Sequence, residues 1–181
     1  MPGSLPSQRS VDVAPFEALY RATVRDVRVY VTTLVGANLA DDVLADSYEV
    51  VLRRWADIPK PFDERRMWVF GVARRTALAS QRRVAEARRR SDGLVPDLAV
   101  PDVADLVAAD DRLARLLGAL PSKEREAMML TASLDLTVTE AARVAGCTEA
   151  AMSMRLTRAR RRVADRLATE AGAEMEADDV R

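Results

Sequence analysis

The chain has 181 residues, enough for one or two small domains with real cores, and its 49% apolar and 31% charged residues are a globular balance. Aromatic residues are only 4%, histidine is absent and cysteine occurs once, at Cys147. An internal disulfide, a cysteine-rich zinc site and the commonest general base are thereby excluded, so no metal or other cofactor is expected. The 28 basic and 28 acidic residues cancel only as blocks: residues 1–90 carry 16 Lys/Arg against 11 Asp/Glu (net +5), 91–107 carry four Asp and no base (−4), 108–169 carry 11 bases against 8 acids (+3), and 170–181 carry five acids and one Arg (−4).

Two basic blocks parted by an acidic one suggest two modules that each meet a polyanion. Long alternating β-branched runs are missing, which predicts an all-α fold. No stretch of about 18 uncharged apolar residues occurs, so no membrane insertion is expected. The N-terminus, MPGSLPSQRS, lacks a basic patch followed by an apolar run and does not read as a signal peptide. Residues 1–12 are expected to form a disordered arm, and the protein to be cytoplasmic.

A first module over 13–90 reads as three helices. The first spans 14–35, with Phe16, Leu19, Tyr20, Val24, Val27, Val31 and Leu34 on one face. Gly36 and Asn38 break it. The second spans about 40–56, with Leu44, Tyr48, Val51, Leu52 and Trp55 inward and Asp42, Asp46, Glu49 and Arg53 outward. The loop 57–63 holds Pro59 and Pro61 and cannot be helical throughout. The third helix, about 64–88, has Trp68, Val69, Val72, Ala73, Ala77 and Leu78 as its apolar residues. It also carries Arg74, Arg75, Arg82, Arg83, Arg88, Arg89 and Arg90 against Glu86, and phosphate is the natural counter-charge.

Residues 91–107, SDGLVPDLAVPDVADLV, hold Gly93, Pro96 and Pro101 and have no amphipathic period, so they read as an extended acidic linker. The second module, 108–169, closes on LTVTEAARVAGCTEAAMSMRLTRARRRVADRL. Thr137 and Glu140 form an S/T-x-x-E capping box that starts a short helix near Val138 and ends it near Ala145. Gly146 supplies the tight turn, and a second helix starts at Thr148 or Glu149. On that helix Met152, Leu156, Ala159, Val163 and Leu167 recur at steps of three and four. The opposite face carries Met154, Thr157, Arg158 and Arg161, flanked by Arg155 and Arg162. This is the pattern of a helix-turn-helix that lays side chains in a DNA major groove. Arg-rich amphipathic helices are also common as solvated faces. Cys147, in the turn, reads as a packing residue. The acidic stretch 170–181 is expected to fray as a solubilising tail.

Four pieces in order resemble the extracytoplasmic-function (ECF) class of the sigma-70 family, the bacterial RNA polymerase sigma factors. They are Ala40-Asp41-Asp42-Val43-Leu44-Ala45-Asp46-Ser47-Tyr48, Trp68-Val69-Phe70-Gly71-Val72-Ala73-Arg74, Leu120-Pro121 followed by Arg125, and Leu136-Thr137 through Arg158-Ala159-Arg160. The resemblance implies a promoter-recognition and transcription-initiation subunit, not an enzyme. Its first domain, region 2-like, would dock on the clamp helices of the largest subunit of core RNA polymerase and read the −10 element as an unstacked strand. Its second, region 4-like, would dock near the polymerase flap and place its helix-turn-helix in the −35 element. The linker would thread the polymerase cleft, and an anti-sigma factor would hold the protein inactive.

Carried onto this chain, the −35 contacts fall on Thr148, Ser153, Met154, Arg155, Thr157, Arg158 and Arg161. The −10 contacts fall on Lys60, Phe62, Arg74, Arg75, Arg82 and Arg83. Polymerase contacts fall on Asp41, Asp42, Asp46, Glu49 and Arg53, because carboxylates would repel phosphate. For Asp41 and Asp42 a macrodipole role at a helix start is an equally good explanation. Arg75 stands where the family usually has Asn and Ala79 where it usually has Asp, so the family's base preference does not carry over. The helix-turn-helix is also softer than usual, with Ala145, Cys147, Ala151 and Met152 where bulkier aliphatics are common. Two other classes remain open at this point, a polymerase-independent helix-turn-helix DNA-binding regulator and a helical interaction protein.

Overall fold

The computed structural model describes residues 14–90 and 111–179. These form seven α-helices and a π-helical turn, with no strand among the described residues. The expected arm, the whole of the expected linker and the last two residues lie outside them.

Helix α1 (Ala14–Val35) reverses into α2 (Ala37–Arg53) through Gly36 alone. Its φ of 81° is the left-handed region that glycine enters without a Cβ clash. Helix α3 (Phe62–Arg90) closes the bundle. Val27, Tyr30, Val31, Val43, Val51, Val69, Phe70, Val72, Ala73 and Ala77 are all but sealed from solvent, and Tyr30 meets Phe70 edge-on at 5.8 Å. Buried hydroxyls are satisfied locally: Thr23 and Ser47 donate to the carbonyls of Leu19 and Val43 one turn back. The phase of α2 differs from expectation. Ala40, Val43 and Ser47 share the inner face with Tyr48 and Val51, while Leu52 is turned outward at 48% exposure. Tyr20, also expected inside, is 39% exposed at the rim of an aromatic group with Phe16 and Tyr48.

In the second module α4 (Asp111–Gly118) and α5 (Ser122–Met128) meet at Pro121, and α5 runs into the π-helical turn Met129–Ser133. The Ser122–Met128 sequence, SKEREAM, reads as a solvated helix, yet Glu124, Arg125 and Glu126 are all buried. Arg125 donates to the carbonyls of Gly118 and Leu120, both at 3.0 Å, and so ties the α4–α5 corner together. Helices α6 (Val138–Ala145) and α7 (Glu149–Asp179) complete it. Helix α7 continues to Asp179, through the stretch expected to fray from Glu170. Its Glu- and Ala-rich sequence is a good helix former.

The two modules are not beads on a string. One apolar cluster runs from Leu19 in α1 to Leu156 in α7 and takes in Leu130, Leu134, Ala141, Ala142, Ala145 and Met152. Helix α6 packs on α3 and α5 packs on α1. Small residues permit this: Ala73 and Ala77 on α3 and Ala141, Ala142 and Ala145 on α6 are all buried in the shared cluster.

Candidate nucleic-acid and polymerase interfaces

The helix-turn-helix begins with the expected capping box. Glu140 N donates to Thr137 Oγ1 at 3.3 Å, and Thr137 N donates to Glu140 Oε2 at 2.9 Å. The Thr137 backbone N–H and then its hydroxyl hold the Glu140 carboxyl below its usual range. Gly146 ends α6 in the left-handed region at φ 59°, ψ 43°. Thr148 then caps α7, its Oγ1 accepting from Ala151 N at 3.1 Å.

The apolar side of α7 is buried at Met152, Leu156 and Ala159. Periodicity therefore leaves Ser153, Met154, Thr157, Arg158 and Arg161 exposed on the outer side, with Met154 at 56%. Thr157 turns its hydroxyl back to the Ser153 carbonyl. Arg155 is half-buried beside a cleft formed with Pro121, Ser122, Lys123 and Arg158, and one terminal nitrogen of its guanidinium is buried without a hydrogen bond. Arg162 Nε lies 3.0 Å from Glu124 Oε2, close enough for an ion pair although not aligned as a hydrogen bond. The outward side of α7 thus offers donors, a hydroxyl-lined stretch and one apolar contact, which suits a groove floor and its phosphates.

The first module carries its candidates differently. Lys60 and Phe62 are exposed, Phe62 at 50%, beside a loop shaped by Arg65. Arg65 Nε donates to the Pro59 carbonyl at 2.7 Å, and its guanidinium lies over the Trp55 ring at 4.8 Å. Arg82 is exposed, and Arg83 reaches Asp46 at 3.6 Å. Arg75 is exposed on a cleft that it shares with Gly71 and Trp68 of α3 and Arg143 and Val144 of α6.

Arg74 points into the second module, where its Nε donates to Glu126 Oε1 at 2.7 Å. Tyr30 donates to the same oxygen at 2.8 Å. Burial, and next the Glu126 carboxylate, push the Tyr30 hydroxyl well above its usual range, so it stays a donor. Burial alone would lower Arg74, but Glu126 and Tyr30 more than offset it. Arg66 adds a further bridge, donating to the Leu134 carbonyl at 3.0 Å. The charge on α3 that looked uncompensated in the sequence is thus partly paired within the chain. Tyr30, Arg66 and Glu126 were missed in the sequence, where their only signal is a polar tip on an apolar face or a charge in a charged stretch.

The acidic helix is outward as expected, but its carboxylates also have internal partners. Asp41 accepts from Arg28 at 2.8 Å, and that hydrogen bond lowers its pKa. Asp46 faces Arg83, and Glu49 lies 3.7 Å from Arg53. Asp42 is exposed. The Asp46, Glu49 and Arg53 face borders a shallow cleft with Val72, Arg75, Thr76 and Ala79 of α3, and Leu52 is exposed on the same helix. Among the described residues no group of His, Cys, Asp or Glu could hold a metal ion, and no helix is long and apolar enough to cross a membrane.

Fold and site together define a two-module, all-helical protein closing on a helix-turn-helix with a basic outward face, which is a nucleic-acid-binding class. Residues 110–163 match the model of Sigma-70, region 4. Over 149 residues the chain is 30% identical to the ECF RNA polymerase sigma factor SigC of Mycobacterium tuberculosis, across 80% of this chain and 78% of that protein. The probable RNA polymerase sigma-C factor of Mycobacterium bovis matches to the same extent. The sigma factor RpoE of Bartonella quintana, solved with the anti-sigma factor NepR, has a TM-score of 0.70 at 19% identity, covering 86% of this chain and 98% of that one. CnrH, solved with the cytosolic domain of CnrY, has a TM-score of 0.61 at 23% identity, covering 88% and 91%. These two share the fold. The chain belongs to the ECF sigma factors, the alternative promoter-recognition subunits with which bacterial RNA polymerase starts transcription. The family is one of non-enzymatic transcription factors.

Proposed function

We propose that this sigma factor binds core RNA polymerase through the α2 face and promoter DNA through two separate faces, on α7 and α3. The single observation that carries this is the exposed basic side of α7 behind a capped, glycine-turned helix. Thr148, Ser153, Met154, Arg155, Thr157, Arg158 and Arg161 meet the −35 element. Arg74, Arg75, Arg82 and Arg83, with Lys60 in the preceding loop and Phe62 at the start of α3, meet the −10 region as it unstacks. Asp41, Asp42, Asp46, Glu49 and Arg53 meet the clamp helices, with the second module near the flap. Residues 13–90 and 108–169 act as the region 2-like and region 4-like domains, joined by 91–107. The protein works in the cytoplasm without catalysis or cofactor.

An anti-sigma factor is the expected regulator, because both solved relatives in the comparison are held by a partner, NepR in one case and CnrY in the other. The test is reconstitution. The chain should co-elute with core polymerase in gel filtration, bind free duplex DNA weakly, and support run-off transcription from a promoter subset. Tight binding to duplex DNA with no effect on polymerase would instead select a polymerase-independent regulator.

A further inference from the structure

Helices α1 and α3 and the α4–α5 corner border a cavity of about 610 Å³. Sites for small organic molecules run to roughly 300–1,000 Å³. Leu34, Leu78, Leu120 and Pro121 make its walls largely apolar. The walls are tied to one another, since Gln81 on α3 donates to the Leu34 carbonyl on α1 at 2.6 Å.

Two cations on this wall lack a counter-charge. Arg125 is 5% exposed, and its hydrogen bonds to the carbonyls of Gly118 and Leu120 use one terminal nitrogen. Its Nε is buried without a partner. Burial holds the guanidinium below its usual pKa, and no carboxylate opposes that shift. Lys123 lines the same cavity, is exposed, and forms no ion pair among the described residues. The acid on the wall, Glu126, is already met by Arg74 and Tyr30.

The two carbonyls explain how Arg125 secures the α4–α5 corner, but they leave its charge unmet. A buried guanidinium without an anion is costly, and its planar fork fits a carboxylate or a phosphate. An uncharged apolar ligand would leave that charge as it is. A bare inorganic anion would leave the apolar walls wet. A molecule with an anionic head and an apolar body answers both.

We propose that this cavity is a ligand site for a small amphiphilic anion, with an oxyanion head on Arg125 and Lys123 and an apolar body against Leu34, Leu78 and Leu120. The proposal does not rest on the assignment of any face to DNA or to polymerase.

The test is isothermal titration calorimetry of the full chain with decanoate and with decyl phosphate, each below its micelle concentration. These carry the two candidate heads on one tail. Decanol and decyltrimethylammonium are the controls, with the same tail and either no charge or the opposite one. Both anions should bind saturably at a single site, and the tighter of them identifies the head. Decanol should bind at least about tenfold more weakly, for want of a charge-assisted hydrogen bond. The cation should not bind. Lys123→Gln should weaken both anions about three- to tenfold and leave decanol unchanged, and added salt should shrink that difference. Leu78→Trp, which fills the cavity, should abolish binding with helical content unchanged by circular dichroism. Arg125→Met should weaken the anions more than Lys123→Gln does. If it fails to fold because the corner comes apart, the exposed Lys123→Gln variant and the decanol control carry the test. The site is overturned if neither anion binds the folded chain, or if decanol or the cation binds as tightly as the anions. It is overturned equally if Lys123→Gln, or a folded Leu78→Trp, binds the anions as wild type does.

Discussion

Helices α3 and α7 are both long, both rich in arginine and both assigned to promoter DNA, yet the structure treats them in opposite ways. On α7 most arginines stand outward: Arg161 is 3.9 Å from Asp165 one turn on, both well solvated, and only Arg162 reaches a buried acid, Glu124. On α3 the central Arg74 is drawn into a buried contact with another module, and Arg83 and Arg66 reach Asp46 and Asp26 on neighbouring helices. Exposed pairs are worth about 0–1 kcal/mol and give way to a competing phosphate, whereas a buried one does not without a change of packing. The outward arginines of α7 stand open to solvent, whereas the central Arg74 of α3 is already paired within the chain. Counting charges along a helix shows that it needs anionic partners, but not whether the partner is already there.

The largest expected effect tests the shared core behind this contrast. Phe70 on α3 is fully buried, in a cluster that extends into α7. Phe70→Ala should cost about 3–5 kcal/mol. If the modules fold as one body, thermal unfolding should remain a single transition at lower temperature. Two separate transitions, with only the first shifted, would show that the packing between the modules adds little.

The next effect separates the two basic faces. Arg158→Ala on α7 should weaken promoter binding by holoenzyme by about 1–3 kcal/mol if the side chain is bidentate to a guanine, and less if it meets only phosphate. Its melting temperature should not move, because it is exposed. Arg74→Ala should instead lower stability and also reduce promoter melting, read by permanganate footprinting. Should Arg158→Ala leave promoter binding and transcription intact, the outward side of α7 is not the reading face.

A smaller effect is expected at the acidic helix. Asp42→Lys with Asp46→Lys should slow association with core polymerase in a salt-dependent way, roughly tenfold at low salt. Stability should change little, since the pair lost, Asp46 with Arg83, is half-exposed on both sides. A charge-reversed protein that binds polymerase at the wild-type rate removes α2 from the docking surface.

What could be read from the sequence followed from periodicity and from short-range chemistry. The limits of α1 and α6, the capping box at Thr137 and Glu140, the left-handed Gly146 and the outward set on α7 depend on residues within about one or two turns of each other. Leu52 was expected inside because the apolar stripe of α2 can be drawn through either Val43 and Ser47 or Leu44 and Leu52. Only packing against α1 and α3 chooses between them. The Tyr30, Arg74 and Glu126 contact was illegible for a stronger reason. It joins residues 52 and 96 positions apart across the linker, and Glu126 sits in a charged stretch that periodicity alone assigns to solvent. The outward residues on α7 were therefore visible as a face, while the pairing of Arg74 on α3 depended on how the modules dock.

The smallest effect concerns the cap that orients the helix-turn-helix. Thr137→Ala removes the acceptor for Glu140 N and should cost about 1 kcal/mol. Glu140→Gln is subtler, because an amide oxygen can still accept from Thr137 N and keep the box closed. The difference between wild type and this variant isolates the charge. The folded Glu140 carboxyl lies below its ordinary value of 4.5, lowered first by the Thr137 backbone N–H and then by the Thr137 hydroxyl. Its ionised form therefore stabilises the fold in full above about that ordinary value, and the contribution is lost as pH falls through the lower folded value. Denaturant unfolding at neutral pH should show wild type slightly more stable than Glu140→Gln, and the gap should shrink as the pH is taken below 4.5. The other carboxylates are common to both proteins and cancel in the difference. A gap that stays constant or widens on acidification would mean that the Glu140 charge adds nothing to the cap, leaving its hydrogen bonds alone to set the entry of α6.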